Sequence, residues 1–192
     1  MAHVLKGITD QVYPVSRRSL VLIEEHLEFE EYGKKELIFA TDSWNHKEYF
    51  ILEGICRSFL INPLFTETTL SFYTDNTVVL PNLARTVGGK SQYNLQALTT
   101  VKLASISVPV FDQLRRDHQE LLSFGQAVLR NALLRQVDKE VGLASLTASD
   151  RLKKFRETYP LLENLIPHSH IASYLGITNI SLSRLRRNLD QG

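Results

Sequence analysis

Cysteine occurs once in 192 residues, at Cys56, which excludes an intrachain disulfide and a four-cysteine iron–sulfur site held by one chain. A lone thiol fits a reducing cytoplasm. No apolar run approaches the roughly 20 residues that a transmembrane helix needs, so no membrane partner is expected. Residues 1–11, MAHVLKGITDQ, lack the basic stretch and apolar core of a signal peptide, and the expected location is cytoplasmic. There is no internal repeat and no low-complexity segment. There is also no nucleophile constellation, and the Gly88-Gly89-Lys90 turn lacks the earlier glycine that a phosphate loop requires.

What is present is an ordinary globular composition, 43% hydrophobic and 22% charged, long enough for one domain or two small ones. The whole-chain charge of +1 hides an asymmetry. Residues 151–192 carry seven Lys/Arg against three acids, a net +4, whereas residues 1–150 carry fifteen against eighteen, a net −3. A basic C-terminal fifth on a mildly acidic body suits either a nucleic-acid-facing module or a solvated basic face.

Residues 16–27, SRRSLVLIEEHL, have a capping serine ahead of apolar residues at helical spacing. From about 28 to 108 the texture changes to short β-branched and aromatic segments, such as KELIFATDS, TTLSFYTDNTVVL and VKLASISV. Turn-formers at Gly33, Asp42-Ser43, Gly54, Asn62-Pro63, Asp75-Asn76 and Gly88-Gly89 interrupt them. This spacing predicts an antiparallel sandwich or barrel. A cupin-like enzyme on such a sandwich needs His-x-His with further metal ligands. The β region offers only His46 and Glu48, and His168-Ser169-His170 reads as the start of a helix. No enzyme, metal or cofactor is therefore expected.

Pro109 closes the β region, and a helical pattern begins at once. Apolar residues recur at 121, 124, 128 and 132, and again at 122, 129, 133, 137 and 141. A helix of about 25 residues spans about 37 Å, more than a small β-domain needs for its own core. Leu121, Phe124, Val128, Leu129, Leu133, Val137 and Val141 are therefore expected to include a homodimer face, with packing on the chain's own sandwich as the alternative. Heptads are imperfect, since Arg135 and Gly142 fall in register with Leu121 and Val128. Thr147 or Ser149 then caps a further helix, with Pro160 and Pro167 as punctuation beyond it.

Residues 170–189, HIASYLGITNISLSRLRRNL, meet the separate demands of a helix-turn-helix. Ala172 is small where the helices cross, and Gly176, four residues on, tolerates a left-handed turn. Ile171, Leu175, Ile177, Leu182 and Leu185 fall at inward positions, and Thr178 caps the second helix. Its outer face presents Asn179, Ile180, Ser181, Ser183, Arg184 and Arg187. A C-terminal helical hairpin of no special function would reproduce the periodicity, but seldom the spacing, cap and basic tail together.

Three segments in order, YFILEGICRSFLI, LQALTTVKLASISVPVFDQL and IASYLGITNISLSRLRRNL, resemble the cyclic-AMP receptor protein/Fnr superfamily of bacterial transcription regulators over nearly the whole chain. The resemblance implies an α+β fold: a cyclic-nucleotide-binding-like antiparallel β-sandwich (double-stranded β-helix or jelly roll) over 1–109, a dimerisation helix over 110–146 and a helix-turn-helix over 147–192. It also implies double-stranded DNA, with a palindromic site, as partner. Thr178, Ser181, Arg186 and Arg187 are the candidate phosphate contacts, and Asn179, Ile180, Ser183 and Arg184 the other residues facing DNA. Nucleotide-binding members carry a Glu for the ribose and an Arg-Ser pair for the cyclic phosphate. Here those positions hold Pro81 and Ser91-Gln92, so cyclic-nucleotide control is not expected. Arg85, Lys90 and Tyr93 complete the candidate effector pocket. Only three residues follow Leu189, so a trimmed module without the family's β-wing is expected, with a shallow salt dependence. A ligand sensor or dimerisation protein of the same fold that no longer binds DNA is the alternative reading.

Overall fold

The computed structural model describes residues 4–190, with only the backbone of Asp190. The wing expectation falls partly on Gln191 and Gly192, outside the described residues. Helices α1 (Lys6–Val12) and α2 (Arg17–Glu24) lead into strands β1 (Glu28–Tyr32), β2 (Leu37–Phe39), β3 (Lys47–Glu53), β4 (Cys56–Ile61), β5 (Glu67–Tyr73) and β6 (Thr77–Val78). A short α3 (Asn82–Arg85) precedes β7 (Thr86–Val87), β8 (Lys90–Ser91), β9 (Asn94–Ala97) and β10 (Val101–Ser107). The remainder is helical: α4 (Val108–Asp117), α5 (Gln119–Ser145), α6 (Ala148–Thr158), α7 (Leu162–Leu165), α8 (His168–Leu175) and α9 (Asn179–Asp190). The chain forms two compact units, one from the N-terminal part to Ser58 with Phe72–Leu133, the other from Phe59–Ser71 with the chain from Leu134 onward. This is the expected α+β class: a sandwich of short antiparallel strands followed by helices.

Two four-stranded sheets, ordered β1-β10-β3-β6 and β2-β9-β4-β5, and the β7-β8 hairpin make up the sandwich. In the first, β10 runs antiparallel to β1 from Glu28↔Ser105 to Tyr32↔Val101, and pairs on its other side with β3. The β3–β4 turn depends on Gly54, whose φ of +100° favours glycine and whose Cβ, if present, would lie 2.3 Å from the Thr100 carbonyl. Ser16 caps α2 as expected, accepting the Ser19 N–H. Glu120, at the start of α5, in turn accepts the Ser16 N–H at 2.8 Å and its hydroxyl at 2.7 Å, and these bonds and one from the Ser19 hydroxyl hold its carboxyl below the usual range.

The core of this unit joins Phe50, Ala104 and Ile106 of the sheet to Leu5 just ahead of α1, Ile8 of α1, Leu20 and Ile23 of α2, Phe111 of α4, and Leu121, Phe124 and Val128 of α5. Two expectations change here. The helical pattern after Pro109 is not continuous: His118 is extended (φ −132°, ψ 108°). Its N–H closes α4 on the Leu114 carbonyl, while its own carbonyl receives the Leu121 and Leu122 N–H groups of α5. The expected dimer stripe also divides. Leu121, Phe124 and Val128 are core residues that a partner chain could not reach, whereas Leu129, Leu133, Val137 and Val141 are 39–61% exposed. Helices α1, α3 and α7 are short additions that periodicity over so few residues did not announce.

Phe124→Ala should lower the unfolding free energy by about 3–5 kcal/mol, measured by denaturant titration, while Leu133→Ala costs far less. Equal losses would contradict the division of the stripe.

Candidate nucleic-acid interface

The second unit is built around α8 and α9. Helix α8 ends at Gly176, left-handed at φ 67°, ψ 35°. The Gly176 N–H bonds the Ser173 carbonyl at 3.2 Å and the Ile177 N–H bonds the Ala172 carbonyl at 3.0 Å, the paired closure that a glycine after the last turn permits. Thr178 then opens α9: its hydroxyl accepts the Ser181 N–H at 3.1 Å. Ile171, Ala172, Leu175 and Leu182 are buried, with Ile177 and Leu185 half-buried, as the spacing predicts.

The basic residues of this unit differ in what they hold. Arg151, on α6, donates from Nε to the Leu175 carbonyl at 3.0 Å and from Nη1 to the Leu146 carbonyl at 2.7 Å, closing the C-termini of α8 and α5 together. Lys154 pairs with Asp138, and Lys153 with Asp150. Buried Glu163 is gripped from two sides: Arg156 Nε at 2.7 Å, and Arg186 Nε at 2.6 Å in an ion pair without hydrogen-bond alignment. Arg186 also donates from Nη1 to His168 Nδ1 at 3.1 Å. Thus Arg186, expected to meet phosphate, is turned onto protein. Among the described residues, Arg184 and Arg187 are the cations of residues 151–190 whose side chains make neither an ion pair nor a hydrogen bond. Both are exposed, as are Asn179, Ile180 (66% exposed) and Ser183, while Ser181 is half-buried.

Helix α8 is anchored by a segment whose part in this unit the sequence did not announce. Residues 59–71 form the β4–β5 hairpin end, and there the Ser173 hydroxyl donates to the Glu67 carbonyl at 3.0 Å and receives the Thr69 N–H at 2.9 Å. Lys139 of α5 donates to the Leu70 carbonyl at 2.6 Å and lies 4.1 Å from the centre of the Tyr174 ring. Tyr174 in turn packs with Phe155 and Tyr159, at 5.8 and 6.1 Å between ring centres. No acid pairs with Lys139 among the described residues, and burial pulls its amine down to about 8.

In the first unit, the candidate effector residues part company. Lys90 and Gln92 are exposed, Lys90 lying 5.8 Å from the centre of the Trp44 ring. Pro81, Arg85, Ser91 and Tyr93 are buried. The Ser91 hydroxyl accepts the Asn45 amide at 3.1 Å, and Asn45 Oδ1 accepts the Tyr49 hydroxyl at 3.3 Å. Glu48, weighed in the sequence only as a metal ligand beside His46, is buried and accepts the Asn82 N–H at 2.9 Å, and burial pushes its carboxyl up. No group of three or more His, Cys, Asp or Glu among the described residues could hold a metal ion. No described helix is long and apolar enough to cross a membrane.

No family model and no curated protein matches the chain. Solved structures do match. FixK2 from Bradyrhizobium japonicum is similar at a TM-score of 0.75 and 16% identity, over 86% of this chain and 85% of that one. CLP, the c-di-GMP-responsive global regulator of Xanthomonas campestris, is similar at 0.72 and 17%, over 92% of each chain. A CooA mutant from Carboxydothermus hydrogenoformans is similar at 0.69 and 18%, over 92% of this chain and 81% of that one. At these identities the likeness is one of fold.

Lys139 supplies a test of the second unit. Its folded-state value lies below the ordinary 10.5, so between about pH 8 and 10.5 the unfolded chain binds more protons. Stability from this site therefore rises with pH across that window. The difference in unfolding free energy between the native chain and Lys139→Met should shift accordingly from pH 7.5 to 10; a flat difference would mean that Lys139 is not held in this way.

Proposed function

We propose that the chain is a dimeric DNA-binding transcription regulator of the Crp/Fnr type, working in the bacterial cytoplasm without cyclic-nucleotide control. The observation that carries this reading is the α8–Gly176–α9 arrangement, whose uncovered face bears Asn179, Arg184 and Arg187 while its opposite face is buried. The likeness in fold to FixK2 and CLP supports it. In this reading α9 lies in the major groove. Arg184 reads guanine O6 and N7, Asn179 reads adenine, Ile180 meets a thymine methyl, and Thr178, Ser181 and Arg187 contact phosphates. The outward α5 stripe of Leu129, Leu133, Val137 and Val141 pairs with its copy, and two-fold symmetry then asks for a palindrome.

A second reading, a protein of this fold that no longer binds DNA, draws on the small number of unpaired cations on α9. Selection of bound DNA from a random pool separates the two: a palindrome should emerge, and no enrichment at low salt would favour the second. With that site in hand, Arg184→Ala should weaken cognate binding by about 1–3 kcal/mol, roughly 5- to 150-fold, and random DNA much less. Equal losses on both would remove its base-reading role. Val137→Glu should leave single chains in sedimentation; an unchanged dimer would place the interface elsewhere.

A further inference from the structure

Arg186 stands apart from the other cations of α9. Helix geometry puts it at the edge of the outward face: Leu182, one turn back, is buried, while Ser183 and, two turns back, Asn179 are exposed. A flexible arginine arm at that edge can lean outward over the face or inward onto protein. It leans inward. Its Nε lies 2.6 Å from a Glu163 carboxylate oxygen, and its Nη1 donates to His168 Nδ1 at 3.1 Å.

The inward position is fixed twice. With Nδ1 accepting, the His168 ring carries its hydrogen on Nε2, which faces the Glu163 carbonyl at 3.2 Å. Glu163 therefore holds Arg186 directly through its carboxylate, and indirectly through the ring that its carbonyl orients. The Glu163 side chain is 10% exposed and also serves Arg156 of α6 at 2.7 Å, so one acid stands between two guanidiniums. Drawing Arg186 away to a phosphate would break a buried pair, which costs more than a solvent-exposed ion pair returns. Arg184 and Arg187, on the same helix, carry no such restraint among the described residues.

We propose, on the DNA-binding reading above, that Glu163 is a positioning residue that withholds Arg186 from DNA phosphate and so sets the ratio of cognate to random binding. Each cation that reaches a phosphate releases counterions and tightens binding to every sequence alike. Tying one cation down on each copy lowers that indiscriminate share, and base reading by Arg184 and Asn179 becomes a larger part of the whole. Glu163 itself touches no DNA in this scheme; it acts through Arg186.

The test measures binding of the full chain to duplex DNA of random sequence as a function of salt concentration. Glu163→Gln, which keeps the shape and removes the charge, should tighten random binding and steepen the plot of log affinity against log salt by about 0.9 per bound chain. Adding Arg186→Gln to it should return the slope to the native one, whereas a merely structural Glu163 would give neither change. An unmoved slope in Glu163→Gln, or a steeper one that survives in the double variant, would overturn the inference and leave the regulator standing. Should Glu163→Gln fail to fold, Arg186→Gln alone decides. A native slope then supports the restraint, and one shallower by about 0.9 places Arg186 on phosphate already and overturns it. A native chain that retards no duplex at low salt, beside a Glu163→Gln variant that does, would sink native DNA binding and keep the restraint; silence in both would sink both.

Discussion

Helix α5 carries more apolar side chain than one sandwich can cover. Its first turns supply Leu121, Phe124 and Val128 to the core under Phe50 and Ile106, which fixes the rotation of the helix about its own axis. With that face committed, the residues about 100° around, Leu129, Leu133, Val137 and Val141, must point outward. An apolar stripe of this length in water is what a second helix would cover. The rotation is reinforced at the N-terminus, where Glu120 is clasped by the Ser16 and Ser19 hydroxyls of α2.

The same economy of positions governs charge in the second unit. A net +4 over residues 151–192 suggests a broad basic surface, but most of those cations are turned inward or onto acids. Arg151 closes two helix ends, and Glu163 draws Arg156 and Arg186 to one point. A buried carboxylate needs such partners, since one left alone would cost several kcal/mol (about 3–5 when a buried pair is broken). The unpaired charge that reaches solvent on α9 is narrow: Arg184 and Arg187, with Asn179 beside them.

Much of this was legible in the sequence where the signal is local. The capping serine at 16, the threonine at 147, the glycine at 176 and the alternation of short strands all occupy their expected roles. The signals that failed are those in which one pattern serves two masters. Two interleaved apolar stripes read as one wide stripe that includes a dimer face, because periodicity records that a side is apolar and not what covers it. The break at His118 leaves no trace in composition, since histidine is neither a cap nor a breaker by habit. The burial of Arg85 and Glu48 was not announced either: the sequence offered Arg85 as a pocket candidate and Glu48 as a neighbour of His46, but a charged residue reads as surface until its neighbours are known. The part of residues 59–71 was unreadable for a different reason, because Ser173 meets backbone groups of Glu67 and Thr69, and backbone is the same in every sequence.

That last contact bears on which side of the helix pair is free. Helix α8 is held on several sides: Ser173 on the β5 backbone, Tyr174 against Phe155 and beneath Lys139, Ile171 and Leu175 in the interior, and the Leu175 carbonyl on Arg151. Helix α9 is occupied on one side only, through Leu182 and the Arg186–Glu163 pair. A helix positioned by its neighbour and left bare along Asn179, Ile180, Ser183, Arg184 and Arg187 has its outer face held in a defined direction at little entropic cost. Under the proposed DNA-binding reading, rigid presentation of so few polar groups would favour reading base edges over grasping phosphate, because the non-specific part of DNA affinity scales with the number of free cations. In the proposed dimeric regulator, a module built this way would gain discrimination from geometry and strength from being used twice in a symmetric pair.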